Sequence, residues 1–238
     1  MRIKMVGLSL LCGMGVVVSS FAEKMAIDEH DKKYEQENSG GYEKGLPQLY
    51  VCGDSISVGY SIPLKKELRG KVSVVHRKDL AALFPSIPKV RYSGKAHSLI
   101  ALTKAVLESK EYKPDYLLLN CGLHDIARGG ANLKKYKRDL KTLIDLAKAH
   151  KTTLVWLTIT PRKENHPQNV KIEQFNAAAK ELMKANHVAV IDLHKKTKEL
   201  IASLGQKKVM KRDGIHFTAL GYQKQATFIV EQLKPIVK

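Results

Sequence analysis

The 238-residue chain predicts an α/β fold of three layers, with helices on both faces of one doubly wound sheet of about five parallel strands. Three observations carry that prediction. Five short apolar runs rich in Val, Ile and Leu recur along the chain, segments of helical period fill the intervals, and two of the runs end directly on glycine-containing motifs. Strands buried on both faces read as continuous apolar runs rather than alternating ones, and parallel neighbours need long crossovers, which are usually helices.

The first run is Leu49 to Cys52, and Gly53-Asp54-Ser55 ends it. The chain then turns toward a helix expected to begin near Pro63, because proline is tolerated at the first helical position. Val72 to His76 is the second strand. Leu99 to Leu107 has helical spacing, and Tyr116 to Cys121 is the third strand, running into Gly122. Leu133 to Ala149 is an amphipathic helix whose Lys134, Lys135, Lys137, Lys141 and Lys148 form a solvated surface. Thr153 to Thr160 is the fourth strand, Val170 to Ala185 the next helix, Val188 to Leu193 the fifth strand, and Leu220 to Leu233 the last helix. The arrangement is flavodoxin-like. Ligands of such sheets bind beyond the carboxyl ends of the strands, where chain order reverses beside the first strand. Ser55 and Gly122 both fall at such ends.

Ahead of this domain, which spans residues 47–238, lie two segments of different character. Residues 1–22 carry Arg2 and Lys4, then an apolar stretch from Met5 to Val18, then Ser20-Phe21-Ala22 with small residues where a signal peptidase reads. The apolar stretch is shorter than the roughly 20 residues that span a bilayer, so a cleaved export signal is expected rather than an anchor, with a periplasmic or secreted product and no stable membrane insertion. Residues 23–46 are polar, contain Ser39-Gly40-Gly41 and show no apolar period, as in a linker or loosely docked arm.

Loss of residues 1–22 removes two of the 41 Lys and Arg and none of the 23 Asp and Glu, lowering the net charge from +18 to +16. Such a surface concentrates anionic partners. The lysines are spread over most predicted helices without interleaved aromatic residues to stack bases, which argues against nucleic acid as a partner. Cys52 and Cys121 remain, each directly before the glycine of a strand-end motif. Export would permit a bond between them if the two strands are neighbours; buried free thiols are the commoner state of such cysteines.

A serine lifted out of the end of a strand can act as a nucleophile once a base is within reach. Asp213-Gly214-Ile215-His216 supplies an imidazole with a carboxylate three residues before it. Taken with the Gly-x-x-Asp block at Gly122 to Asp125, these motifs resemble, in order and spacing, the blocks of the SGNH (GDSL-like) hydrolases from about residue 48 to the end of the chain. The resemblance implies Ser55, not Ser57, as nucleophile, His216 as base and Asp213 as the group that orients it. It also implies an oxyanion hole built from the Ser55 N–H, a glycine matched best by Gly94, and a side chain of the third block. Most members carry asparagine there, in Gly-x-Asn-Asp. This chain reads Gly122-Leu123-His124-Asp125, so the donor is either His124 or Asn120 two residues before the glycine.

Arg162, Lys163 and His166 follow the fourth strand on a loop expected to open toward the same edge, where Arg162 suits an acidic substrate. Asp54 is a second candidate for substrate binding. His150, His187 and His194 lack metal-ligand spacing, and acyl transfer needs no cofactor, so neither metal nor cofactor is expected. The expectation is an exported serine esterase acting on O-acyl, foremost O-acetyl, esters of a small molecule or a polysaccharide that can be anionic. The alternatives are a lysophospholipase or short-chain lipid esterase, a catalytically inactive binder of anionic polysaccharide, and a flavin binder on the same sheet. Neither binder has a physical reason to keep Ser55, Asp213 and His216 together.

Overall fold

The structure, a computed structural model, describes residues 42–127 and 132–238. The expected leader at 1–22 and most of the polar arm lie outside these residues. Five strands, β1 (Gln48–Gly53), β2 (Ser73–His76), β3 (Tyr116–Asn120), β4 (Thr153–Leu157) and β5 (Ala189–Ile191), form one parallel sheet in the order β2-β1-β3-β4-β5. The chain moves outward from β1 to β2, then crosses back over β1 to β3. The reversal therefore falls between β1 and β3, whose registered ends are Gly53 and Asn120.

Nine helices among the described residues connect and cover the strands: α1 (Ser55–Leu68), α2 (Leu80–Leu83), α3 (Ala96–Glu108), α4 (Leu123–Ala127), α5 (Leu133–Ala149), α6 (Gln168–Ala185), α7 (Leu193–Leu204), α8 (Gln206–Val209) and α9 (Ala219–Leu233). Helices α1, α9 and α7 pack together in one layer, and α3, α5 and α6 in the other. With both faces covered, the strand centres have no accessible surface: Leu49 to Cys52, Leu117 to Leu119 and Val155 to Leu157 are all fully buried. That is why these strands read as unbroken apolar runs. No helix among the described residues is long and apolar enough to cross a membrane.

Two expectations need correction. The first helix begins at Ser55, not near Pro63, which lies inside it. Asp54 decides the start, because its carboxylate accepts the Ile56 N–H at 2.9 Å and so caps the helix two turns ahead of the proline. The fourth strand stops at Leu157 rather than Thr160, since the Ile159 N–H donates to Asn176 Oδ1 at 2.8 Å and its carbonyl accepts from Asn176 Nδ2 at 2.9 Å. A helix side chain thus takes over the backbone partners that a longer strand would supply. At the described end of the arm, Tyr42 packs edge-on against Phe84 with ring centroids 5.0 Å apart, and the Glu43 N–H donates to Ser73 Oγ.

Candidate active site

At the reversal point the chain leaves β1 at Gly53, where the neighbouring strand end comes very close. A Cβ at Gly53 would run into the carbonyl oxygen of Asn120 and stand 2.9 Å from Ser57 Cβ. The Asp54 N–H then donates to that Asn120 carbonyl at 3.2 Å, and Ser55 opens α1 half-buried. Asp54 itself is 1% exposed. Burial pushes its carboxyl up to about pKa 6, against the opposing pull of the Ile56 N–H and of His216. Its carboxylate caps α1.

His216 and Asp213 lie between α8 and α9, on a loop closed by the antiparallel bridge of Met210 and Phe217 and by the Lys211 N–H donating to the His216 carbonyl at 2.8 Å. One carboxylate organises the loop. Asp213 Oδ1 accepts the backbone N–H groups of Ile215 and His216, each at 2.9 Å, while Oδ2 lies 2.8 Å from His216 Nδ1. Burial alone would raise the Asp213 carboxyl, but the His216 hydrogen bond and the two backbone donors outweigh it and hold the group well below the usual carboxylate range. An ionised carboxylate only accepts, so the proton of neutral His216 sits on Nδ1 and its Nε2 lone pair is turned outward. That nitrogen lies 2.8 Å from Ser55 Oγ, 161 residues away in sequence. In this tautomer His216 can accept the Ser55 hydroxyl proton.

The loops that carry Gly94 and His124 also meet. Gly94 has φ of +82°, and a Cβ there would stand 2.5 Å from His124 Cγ and Cδ2, so the imidazole lies directly on the glycine backbone. Asp125 Oδ2 accepts the Ala96 N–H at 2.9 Å and ties the two loops together. Asn120 is turned the other way. Its side chain is buried in the sheet, with Nδ2 3.5 Å from the carbonyls of Leu157 and Thr158 at the end of β4. Of the two alternative donors, His124 is the one adjoining Gly94.

Arg162 is half-buried, and its loop is pinned by Asn169, whose Oδ1 accepts the Arg162 N–H at 2.9 Å. The same loop reaches the turn that carries His216: the Lys163 N–H donates to the Gly214 carbonyl at 2.8 Å, and the aliphatic stem of Lys163 covers Gly214. Sequence reasoning missed this contact, because nothing local links a loop after β4 to one before α9. It also passed over His76, whose Nε2 lies 3.0 Å from Ser57 Oγ, two residues beyond Ser55. Cys52 and Cys121 are buried and free.

A strand-end serine in reach of an imidazole that a carboxylate orients, at the switch point of a parallel sheet, is the geometry on which serine-dependent acyl transfer runs. The chain belongs to the GDSL-like lipase/acylhydrolase family, whose sequence pattern matches residues 51–224, and it is accordingly a carboxylic ester hydrolase. No curated protein sequence matches it. Among solved structures the fold is similar to a psychrotrophic esterase from Pseudoalteromonas inhibited by monoethylphosphonate (TM-score 0.59, 14% identity, 79% of this chain and 97% of that one). It is also similar to an acetylxylan esterase from Geobacillus stearothermophilus (TM-score 0.58, 16% identity, 82% and 96%). The protein TesA aligns with TM-score 0.61 and 22% identity over 80% of this chain and 99% of its own.

Proposed function

We propose that this protein is an exported serine esterase that removes O-acyl groups, foremost O-acetyl, from carbohydrate through an acyl-enzyme on Ser55. The observation that carries the reading is the pair of 2.8 Å contacts that link Ser55 Oγ to His216 and His216 to Asp213. His216 takes the Ser55 proton as the hydroxyl attacks the ester carbonyl, then delivers it to the departing alkoxide; water repeats the sequence to release the acid. Asp213 keeps the imidazole in the required tautomer and stabilises its charged form. The Ser55 N–H, the backbone at Gly94 and a His124 N–H receive the developing oxyanion. Export is supported by the basic, apolar and small-residue order of residues 1–22, and an anionic substrate by the excess of Lys and Arg. The likeness in fold to an acetylxylan esterase favours acetylated sugar as the first substrate to try.

A serine-directed fluorophosphonate should label the protein at Ser55, and Ser55→Ala should abolish labelling and turnover while leaving the circular dichroism unchanged. Label found on Ser57 would overturn the assignment. Nitrophenyl esters of rising acyl length, run beside acetylated polysaccharides with acetate release measured, decide the substrate: preference for long acyl chains would replace the carbohydrate reading with a lipid one.

A further inference from the structure

Behind the nucleophile lies a second serine and histidine that the reaction above does not use. Ser57 and His76 are both fully buried, with Ser57 Oγ 3.0 Å from His76 Nε2. The neighbours settle where the protons are. The Lys78 backbone N–H donates to His76 Nδ1 at 3.2 Å, so Nδ1 presents its lone pair and the ring proton resides on Nε2. Burial, aided by the cations of Arg77, Lys65 and Lys78, pushes the His76 pKa well down and keeps the ring neutral. His76 therefore donates to Ser57 Oγ, and Ser57 spends its own proton on the Asp54 carbonyl at 2.7 Å. His76 is anchored in turn, since its backbone N–H donates to Asp79 Oδ2 at 2.8 Å and that carboxylate pairs with Lys65 Nζ at 2.5 Å inside the core.

A serine in the first turn of a helix often bonds back to a nearby carbonyl, so the Ser57 contact alone would mean little. Two features set it apart: a fully desolvated imidazole is committed to orienting the hydroxyl, and the carbonyl that receives it belongs to one special peptide. The Asp54 carbonyl and the Ser55 N–H are the two ends of a single planar trans unit, so they point in opposite directions. Holding the carbonyl toward the core therefore fixes the direction of the N–H on the other side. A hydrogen bond at the carbonyl also polarises the amide and makes its N–H the stronger donor.

We propose that His76 and Ser57 form a buried positioning relay that aims and strengthens the Ser55 N–H for the oxyanion of the ester. The proposal rests on the reading in which Ser55 is the nucleophile and its own N–H lines the hole. Neither relay residue touches substrate. They act through one peptide plane.

The test is Ser57→Ala, assayed for kcat and KM on nitrophenyl acetate and for affinity toward a trifluoromethyl ketone, whose adduct on Ser55 carries an oxyanion. Turnover should fall ~10- to 100-fold, somewhat less than the loss of a whole donor, with KM nearly unchanged. Affinity for the ketone should fall by about the same factor as kcat/KM. The acid limb of the kcat/KM profile should stay where it is, because His216 and Asp213 are untouched. His76→Gln retains an N–H near the position of Nε2 and should keep most of the rate, whereas His76→Leu should lose as much as Ser57→Ala. Wild-type turnover in Ser57→Ala, lost turnover with unchanged ketone affinity, or equal losses in the two His76 variants would each overturn the relay. Should Ser57→Ala not fold, the His76 pair decides alone. Ser55→Ala keeps the two readings apart: activity surviving there removes the nucleophile assignment itself, while an inactive Ser55→Ala beside a normal Ser57→Ala removes only the relay.

Discussion

The two halves of the site are held by opposite means. Ser55 stands on a core: the strand behind it is fully buried, Asp54 is capped into the protein, and Ser57, His76, Asp79 and Lys65 form a chain of buried polar contacts beneath the turn. His216 stands on a surface loop whose order comes from one carboxylate, one antiparallel bridge and the backbone contact from Lys163. A buried polar chain is costly to interrupt, because every group it leaves unpaired is desolvated, whereas an exposed turn can exchange its partners for water. Substitutions in the buried chain of Ser57, His76, Asp79 and Lys65 should therefore disturb folding and rate together. Those in the base half should separate the two.

Asp213→Asn is the sharpest way to break that contrast, and the largest effect expected here beyond removal of the nucleophile or base. The amide oxygen still accepts the Ile215 and His216 N–H groups and preserves the turn, but the amide nitrogen would face Nδ1–H and force the other tautomer on His216. Turnover should fall ~10⁴-fold, while the midpoint of thermal unfolding at neutral pH should drop only modestly, by the screened charge contribution of this partly exposed carboxylate. Asp213→Ala, which loses the turn contacts as well, should add a small loss of stability. Near-normal turnover in Asp213→Asn on the preferred ester would mean that His216 does not need this partner.

The same contrast explains what was legible in the sequence. The nucleophile half is written locally, as an apolar run, a close-approach glycine, a capping aspartate and a helix, so Gly53-Asp54-Ser55 can be read in place. Even there Pro63 misled about the helix start, because a cap nine residues upstream outweighs a tolerated proline position. The long helices and all five strands followed from periodicity, with Leu133–Ala149 matching to the residue. What could not be read are pairings carried by tertiary contact: Asn176 ending β4, Lys163 covering Gly214, and His76 reaching Ser57 from the next strand. The only local trace of the last is a histidine closing an apolar strand, where a free polar side chain would be unsatisfied.

His124 belongs to neither half. It is held by the Gly94 backbone beneath its ring and by the Asp125 contact to Ala96. If it donates to the oxyanion, His124→Ala should lower turnover ~10²- to 10³-fold with KM nearly constant, the scale for one donor. His124→Asn restores the residue most of the family carries and should recover part of the rate. A protonated His124 still donates, so this contribution should not vanish in acid. Normal turnover in His124→Ala would leave the hole to the backbone N–H groups and make the ring a spacer on Gly94.

The smallest effect sharpens the comparison through two carboxylates that titrate in opposite senses. Asp213 is held below the ordinary carboxylate range, so its ionised form stabilises the folded state above about pH 4, and that contribution is lost only as pH falls below it. Asp54 is raised to about 6, so the folded chain keeps a proton that the unfolded chain has already released. Stability then declines as pH climbs from about 4 to 6 and stays lower above that range. Asp54→Asn removes the cost of ionising a buried acid while its amide oxygen can still cap the Ile56 N–H. A shift of this size corresponds to on the order of 3 kcal/mol, and the unfolding midpoint of Asp54→Asn should exceed that of the parent by several degrees at pH 8 and match it near pH 4. An Asp54→Asn protein less stable than the parent at pH 8 would mean that the ionised carboxylate is compensated where it lies, and that the nucleophile half draws stability from the charge after all.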